Sequence, residues 1–177
     1  MQNQIDQIKK ILEGVIFASD QPLNVEYLIR LLGDEQPFSA KEIRAILNDL
    51  ANDYDERGIE LKEVASGFRF QVRDELSPWI SKLFAEKPQR YSRALLEVLA
   101  LIAYRQPITR AEIEEIRGVA VSTHIIRTLT EREWVTVVGY KEVPGRPALY
   151  ATTKSFLDYF NLKSLVELPT SEIKSQT

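Results

Sequence analysis

The sequence has no cysteine, which excludes a disulfide framework, a thiolate metal site and a cysteine nucleophile. Its single histidine, His124, leaves almost nothing from which to build a histidine-rich metal site or a Ser–His–Asp centre. There is no excess of positive charge: 23 Lys and Arg stand against 26 Asp and Glu, a formal net charge of −3. A generic nucleic-acid binder gains affinity by releasing counterions from phosphates and needs a basic surplus to do so. No apolar run is long either. The longest lies around residues 98–104, far short of the about 18–20 residues that span a bilayer. Residues 1–10 are polar and lack an apolar stretch followed by small cleavage-site residues, so no export signal is expected and the cytoplasm is the expected compartment. These absences leave the chemistry of an interaction protein.

What is present is a folded chain: 44% of its 177 residues are apolar and 28% charged. That length suits one domain or two small ones, and a repeat decides for two. Gln21-Pro22-Leu23-Asn24 and Gln106-Pro107-Ile108-Thr109 align at an offset of 85 residues, which also pairs Ala18 with Ala103, Leu28 with Ile113, Leu31 with Ile116 and Gly33 with Gly118. Two copies are too few for a solenoid and read as related domains in tandem.

In the first copy, Ile5, Ile8, Ile11, Leu12, Val15 and Ile16 recur at helical spacing. Pro22 breaks the chain, Asn24 caps a short helix carrying Leu28, Leu31 and Leu32, and Gly33 ends it. Ser39-Ala40-Lys41-Glu42 is a capping box opening a third helix, with Ile43, Ile46, Leu47, Leu50 and Tyr54. Alternation at Ile59, Leu61 and Glu63, a Ser66-Gly67 turn and alternation from Phe68 to Val72 predict a hairpin. The second copy repeats this order. Ser92 caps a strongly apolar helix, Thr109-Arg110-Ala111-Glu112 is a second capping box closed at Gly118, and Ser122 caps a third helix with Ile125, Ile126 and Leu129. Trp134-Val135-Thr136-Val137-Val138 and Leu149-Tyr150-Ala151-Thr152 flank Pro144-Gly145-Arg146-Pro147 as hairpin strands and turn.

Three helices followed by a β-hairpin is the order of a winged helix. The predicted fold is therefore mainly α with small β-hairpins (α+β), in two tandem winged-helix domains. An amphipathic helix over residues 76–86, with Leu76, Trp79, Ile80, Leu83 and Phe84 on one side, joins them, and Trp79 and Trp134 are expected to anchor that helix and the first strand of the second hairpin. Lys87-Pro88-Gln89 is the expected boundary.

In DNA-binding winged helices the third helix enters the major groove. Here the third helix of the first domain sets Lys41, Arg44 and Arg57 against Glu42, Asp49, Asp53, Asp55 and Glu56, and that of the second sets His124, Arg127 and Arg132 against Glu131 and Glu133. The first is repelled by phosphates and the second is nearly balanced, which disfavours the alternative of a winged-helix transcription regulator. Glu112, Glu114 and Glu115 point to different helix faces and have no catalytic companion, so they read as a capping box and a solvated face.

Two long motifs carry a resemblance. Ala103-Tyr104-Arg105-Gln106-Pro107-Ile108-Thr109-Arg110-Ala111-Glu112-Ile113 with Ile116-Arg117-Gly118-Val119, and Pro144-Gly145-Arg146-Pro147-Ala148-Leu149-Tyr150 with Thr152-Thr153, closely resemble the segregation and condensation protein B (ScpB) family. Phe156-Leu157-Asp158-Tyr159-Phe160 is similar to its closing segment, and the likeness runs over about residues 5–169. The resemblance implies a non-enzymatic subunit, without cofactor, of the bacterial SMC–kleisin complex that compacts and segregates chromosomes. It implies a homodimer formed mainly by the N-terminal domain (1–87, with the linker helix) and a C-terminal domain (88–169) that binds the central region of the kleisin ScpA. The SMC ATPase is then a partner through the kleisin, DNA only indirectly, and the protein is associated with the nucleoid. The polar composition of residues 170–177 independently reads as a flexible tail. The candidate kleisin contacts are Tyr104, Arg105, Gln106, Pro107, Arg110, Arg117, Arg146 and Tyr150. The readings favoured over contact are that Arg146 fixes its turn and that Arg105 and Arg110 form a solvated rim. Ile8, Leu12 and Ile16 are candidates for the dimer interface, although packing within the domain explains them equally well.

Overall fold

The computed structural model describes residues 2–33, 38–83 and 91–169. Its helices and small antiparallel sheets divide into two units, Met1–Pro88 and Gln89–Thr177, each with its own apolar core. The expected boundary at Lys87-Pro88-Gln89, the end of the linker helix from Phe84 on, and the tail 170–177 lie outside the described residues.

In the first unit, α1 (Gln2–Ala18) presents Ile8, Leu12 and Ile16, four residues apart, to a core shared with α2 (Val25–Leu32) and α3 (Ala40–Asn52). Asn24 caps α2 by accepting the Tyr27 N–H at 2.8 Å, and Gly33 closes it at φ 80°. Ser39 and Glu42 close their capping box on α3. Polar contacts tie α1 to α3 and to the turn after it: Lys9 Nζ lies 2.5 Å from Asp49 and from Asp53, and the Tyr54 hydroxyl donates to Glu13. Arg73 then donates to the carbonyls of Arg57 and Tyr54, both at 2.8 Å, holding the chain beyond α3.

The hairpin β1 (Ile59–Val64) and β2 (Gly67–Val72) pairs Val64 with Gly67. Ala65 and Ser66 are thus the turn, one residue earlier than the Ser66-Gly67 expected. The reason is the approach of a second backbone. Leu23 exchanges hydrogen bonds with Phe68 at 2.9 and 2.8 Å, and a Cβ on Gly67 would lie 2.3 Å from the Leu23 carbonyl. With φ at 140°, Gly67 occupies a conformation and a space that no other residue fits.

After a 3₁₀ turn at Asp74–Leu76, α4 (Ser77–Leu83) carries Pro78 in its first turn, where no amide donor is needed. The expectation that Trp79 anchors this helix is corrected, since its ring is 63% exposed. The partly buried apolar residues here are Ile80 in this helix and, in the 3₁₀ turn before it, Leu76 against Gly58.

In the second unit, α5 (Arg93–Arg105) buries Leu95, Val98, Leu99, Leu101, Ile102 and Ala103. A short strand not foreseen from the sequence, β3 (Ile108–Thr109), precedes α6 (Arg110–Arg117) and α7 (Thr123–Glu131). It pairs with β5 (Ala148–Thr152), which pairs in turn with β4 (Val135–Tyr140), in the order β3-β5-β4. β4 is an edge, and a bulge between Val137 and Gly139 shifts its register. Ile108 pairs with Tyr150 as Leu23 does with Phe68, so the single bridge of the first unit is the reduced counterpart of β3. Beyond β5, Thr153 caps α8 (Lys154–Tyr159). Trp134, buried at the start of β4, is enclosed by Tyr91, Tyr159 and Phe160 with ring centroids 4.6–5.4 Å away, and by the Arg132 guanidinium at 5.3 Å.

Burial refines the repeat. From Leu23 and Ile108 onward the 85-residue offset holds: Leu28 and Ile113 are both fully buried, and Gly33 and Gly118 both have positive φ. In the preceding helix, however, buried Leu12 and Ile16 correspond to buried Val98 and Ile102, an offset of 86, and exposed Ala18 does not match buried Ala103. The first unit therefore holds one extra residue between its first helix and Leu23.

Candidate functional site

The residues singled out from the sequence separate into three groups. The first is committed to the fold. Gln106 donates from Nε2 to Ala103 O and Thr152 Oγ1, each at 3.0 Å, and its Oε1 accepts the Thr152 N–H at 2.8 Å, which fastens the end of α5 to β5. Arg110 stays partly exposed at the rim but is tied into the fold. Its guanidinium donates to Glu114 at 3.0 Å, to Thr123 Oγ1 at 3.2 Å and to the Val121 carbonyl, clamping the loop between α6 and α7. Glu114 accepts the Val121 N–H from the other side at 2.8 Å. That backbone bond, and then Arg110, hold its carboxyl below the ordinary carboxylate range. Glu112 completes the α6 capping box and meets Lys141 at 2.6 Å. The lysine first, then the Thr109 amide and hydroxyl, bring its pKa down to about 2.

The dimer candidates also belong to this first group. Ile8, Leu12 and Ile16 are 4%, 0% and 1% exposed inside the core of the first unit. Of the two readings left open, packing within the domain describes them: they lie in a core where α1 packs on α3 and β2, and keep almost no exposed surface for a partner. The apolar ring that α1 turns outward is Phe17, 69% exposed and edge-on to Phe70 with centroids 6.1 Å apart.

The second group lies on the hairpin of the second unit. Arg146 has φ 38° and an exposed side chain 3.4 Å from Glu142 in the turn 141–147. Tyr150 is half-buried on β5, between Ile108 and Val137 in register.

The third group forms a surface. Leu96, Ala100 and Tyr104 follow one another at four-residue spacing along the outer side of α5, with Leu96 43% and Tyr104 36% exposed. A hollow of about 370 Å³ on the α6 side is lined by Tyr104, Leu101, Ile116, Arg117 and Val119. A second, of about 460 Å³, lies on the α8 side against Phe160, Leu162 and Leu168. Ala100 and Tyr104 border both, and the Tyr104 hydroxyl donates to the Pro169 carbonyl at 2.6 Å. Arg105 and Pro107 are exposed just beyond the stripe.

Of the sequence candidates, the structure thus brings together Tyr104 and Arg117. Leu96, Ala100, Ile116 and Val119, which share this groove, were missed. The signal was available: a helix written Arg-Ala-Leu-Leu-Glu-Val-Leu-Ala-Leu-Ile-Ala-Tyr-Arg is apolar nearly all round, more than one core can bury.

Among the described residues, no group of three or more His, Asp or Glu side chains is placed to hold a metal ion, and no helix is long and apolar enough to cross a membrane.

Comparison with known proteins places the sequence in a family. A segregation and condensation protein B homolog of Coxiella burnetii is 58% identical over 164 residues, covering 93% of this chain and 78% of that protein. The segregation and condensation protein B of Syntrophotalea carbinolica is 41% identical over 166 residues, covering 93% and 82%. Among solved structures, a dimer of an ScpB N-terminal domain complexed with an ScpA peptide is 29% identical, covers 45% of this chain and 98% of that one, and superposes with a TM-score of 0.40. The family model described as segregation and condensation complex subunit ScpB matches residues 10–171, and the chain belongs to that family.

Proposed function

We propose that the protein is a non-enzymatic scaffold subunit of a bacterial SMC–kleisin complex, acting in chromosome condensation and partition. In this reading both units are winged-helix domains. Residues 1–87 pair two copies, and residues 88–169 grip the central region of an ScpA-type kleisin, through which the SMC ATPase and, indirectly, DNA are reached at the nucleoid. The observation that carries it is the family match over residues 10–171.

The surface chemistry supports this over a DNA-binding regulator. On the third helices Arg44 is paired with Glu63 and Arg127 with Glu131, each at 2.7 Å, so these cations already have carboxylate partners. The groove over α5 is apolar and suits a helical segment of another protein. Tyr104, Arg105, Pro107, Arg117 and Arg146 keep surface to offer the kleisin, whereas Gln106 and Arg110 position the elements that carry them. For the dimer, the exposed ring of Phe17 replaces the buried stripe of α1.

Size-exclusion chromatography with light scattering tests the proposal. The chain alone is expected at about twice 20.3 kDa, and at a larger mass with the central segment of the kleisin from the same genome. A monomer that ignores this segment at micromolar concentration overturns it.

A further inference from the structure

The groove over α5 holds one cation whose hydrogen-bonding capacity is largely unused. Arg117 is at the last turn of α6 and its side chain is only 11% exposed. One terminal nitrogen reaches Glu97 at 3.2 Å, and its Nε is buried with no acceptor among the described residues. A guanidinium has five donors in a fixed fork, and covering it without acceptors is unfavourable. Glu97 gives this one oxygen to Arg117, and its other oxygen accepts from Arg93 at 2.8 Å. Two guanidinium groups therefore share one carboxylate, and a positive charge is left beside the hollow lined by Ile116, Val119 and Tyr104.

The shape of the surface sets the rest of the occupant. From Leu96 to Tyr104 the stripe runs eight residues, about 12 Å of helix, with small Ala100 as its floor. This length takes two turns of a facing helix, with apolar anchors at i, i+3 or i+4, and i+7.

We propose that this groove receives a short amphipathic helix of the kleisin bearing an Asp or Glu at its flank, and that Arg117 pairs with this carboxylate. The inference rests on the kleisin reading above and adds the residue and the charge by which the segment is recognised. The carboxylate gives the Arg117 fork a second acceptor beside Glu97, while the apolar anchors cover Tyr104, Ile116 and Val119.

The test uses the full chain and labelled peptides tiling the central kleisin segment, with affinity read by fluorescence anisotropy. Arg117→Met, which keeps the apolar stem, is expected to weaken the bound peptide at least tenfold. One Asp→Asn or Glu→Gln change in that peptide is expected to do the same, and the two changes together to cost no more than either alone. Arg117→Lys, which keeps the charge and loses the fork, should fall between and serves should the methionine variant unfold. Unchanged affinity in Arg117→Met, or in Arg117→Lys should that variant be the one that folds, overturns the inference while leaving the kleisin reading intact, as do losses that simply add. Failure of every peptide to bind the unaltered chain overturns that reading and this inference with it.

Discussion

The first helices of the two units bury equivalent positions and expose different ones. Leu12 and Ile16 in α1 match Val98 and Ile102 in α5. On the outer side, at the same 86-residue offset, α1 carries Lys10, Gly14 and Ala18 where α5 carries Leu96, Ala100 and Tyr104. The flank of α1 is tied down by Lys9 and Glu13 through ion pairs and hydrogen bonds to Asp49, Asp53 and Tyr54. The flank of α5 meets open apolar hollows. The two units have thus kept a common interior and diverged on one helix face, the face that carries the proposed kleisin groove.

The interior half of that comparison breaks most forcefully. Leu12→Ala and Ile102→Ala each empty a fully buried site and are expected to cost about 2–5 kcal/mol of unfolding free energy, measured by urea denaturation. Leu12→Ala leaving unfolding unchanged while splitting a dimer would reverse its placement in the core. The outer half is tested by writing the α1 stripe onto α5. The triple variant Leu96→Lys, Ala100→Gly, Tyr104→Ala should lose kleisin binding by more than tenfold, about 1.4 kcal/mol or more, with the unit still folded by circular dichroism. Retained affinity would place the contact elsewhere. In the opposite direction, Gly14 lies mid-helix with nothing within 4 Å of its added Cβ, so Gly14→Ala should stabilise the first unit by about 0.5–1 kcal/mol.

The smallest effect compares the two capping boxes. Glu112 has a pKa of about 2 because Lys141 and Thr109 favour its ionised form, while Glu42, bonded to Ser39 alone, is lowered without a lysine. A depressed carboxyl contributes stability above its unfolded pKa and loses it as pH falls toward the folded value. The deficit of Glu112→Gln relative to the unaltered chain should therefore be full above pH 4.5 and vanish toward pH 2, and should exceed that of Glu42→Gln. Denaturation midpoints at pH 6 and pH 3 measure both.

Much of this fold was legible because its signals are local. Asn24, Ser39, Ser92, Thr109 and Ser122 cap the helices they were expected to cap, since an N-cap depends on a hydroxyl or amide beside four free N–H groups. The family was legible for another reason: its motifs are long runs, and the match is to the ScpB family. What escaped depends on packing between distant segments. The two-residue strand β3 exists only because β5 passes beside it. The extra residue before Leu23 is invisible until burial fixes the register of α1. Arg110 reads as a surface charge until the turn at Val121 and Thr123 folds onto it. The candidate site was legible only at Tyr104 and Arg117, two residues of the motif with polar tips, while Ile116 and Val119 in the same motif and Leu96 and Ala100 in the apolar helix looked like ordinary core positions.

The edge strand β4 has a consequence for the chain in concentrated solution. From Val135 to Tyr140 it carries no charge, and Val137, Val138 and Tyr140 are exposed. An uncharged, open strand edge is a template on which another strand can add, and so a starting point for aggregation. The bulge at Val138 interrupts the regular spacing of hydrogen-bonding groups along this edge, and Lys141 places a cation immediately beyond it. These two features act as gatekeepers: deleting Val138 would flatten the edge and leave the hairpin open to intermolecular sheet growth.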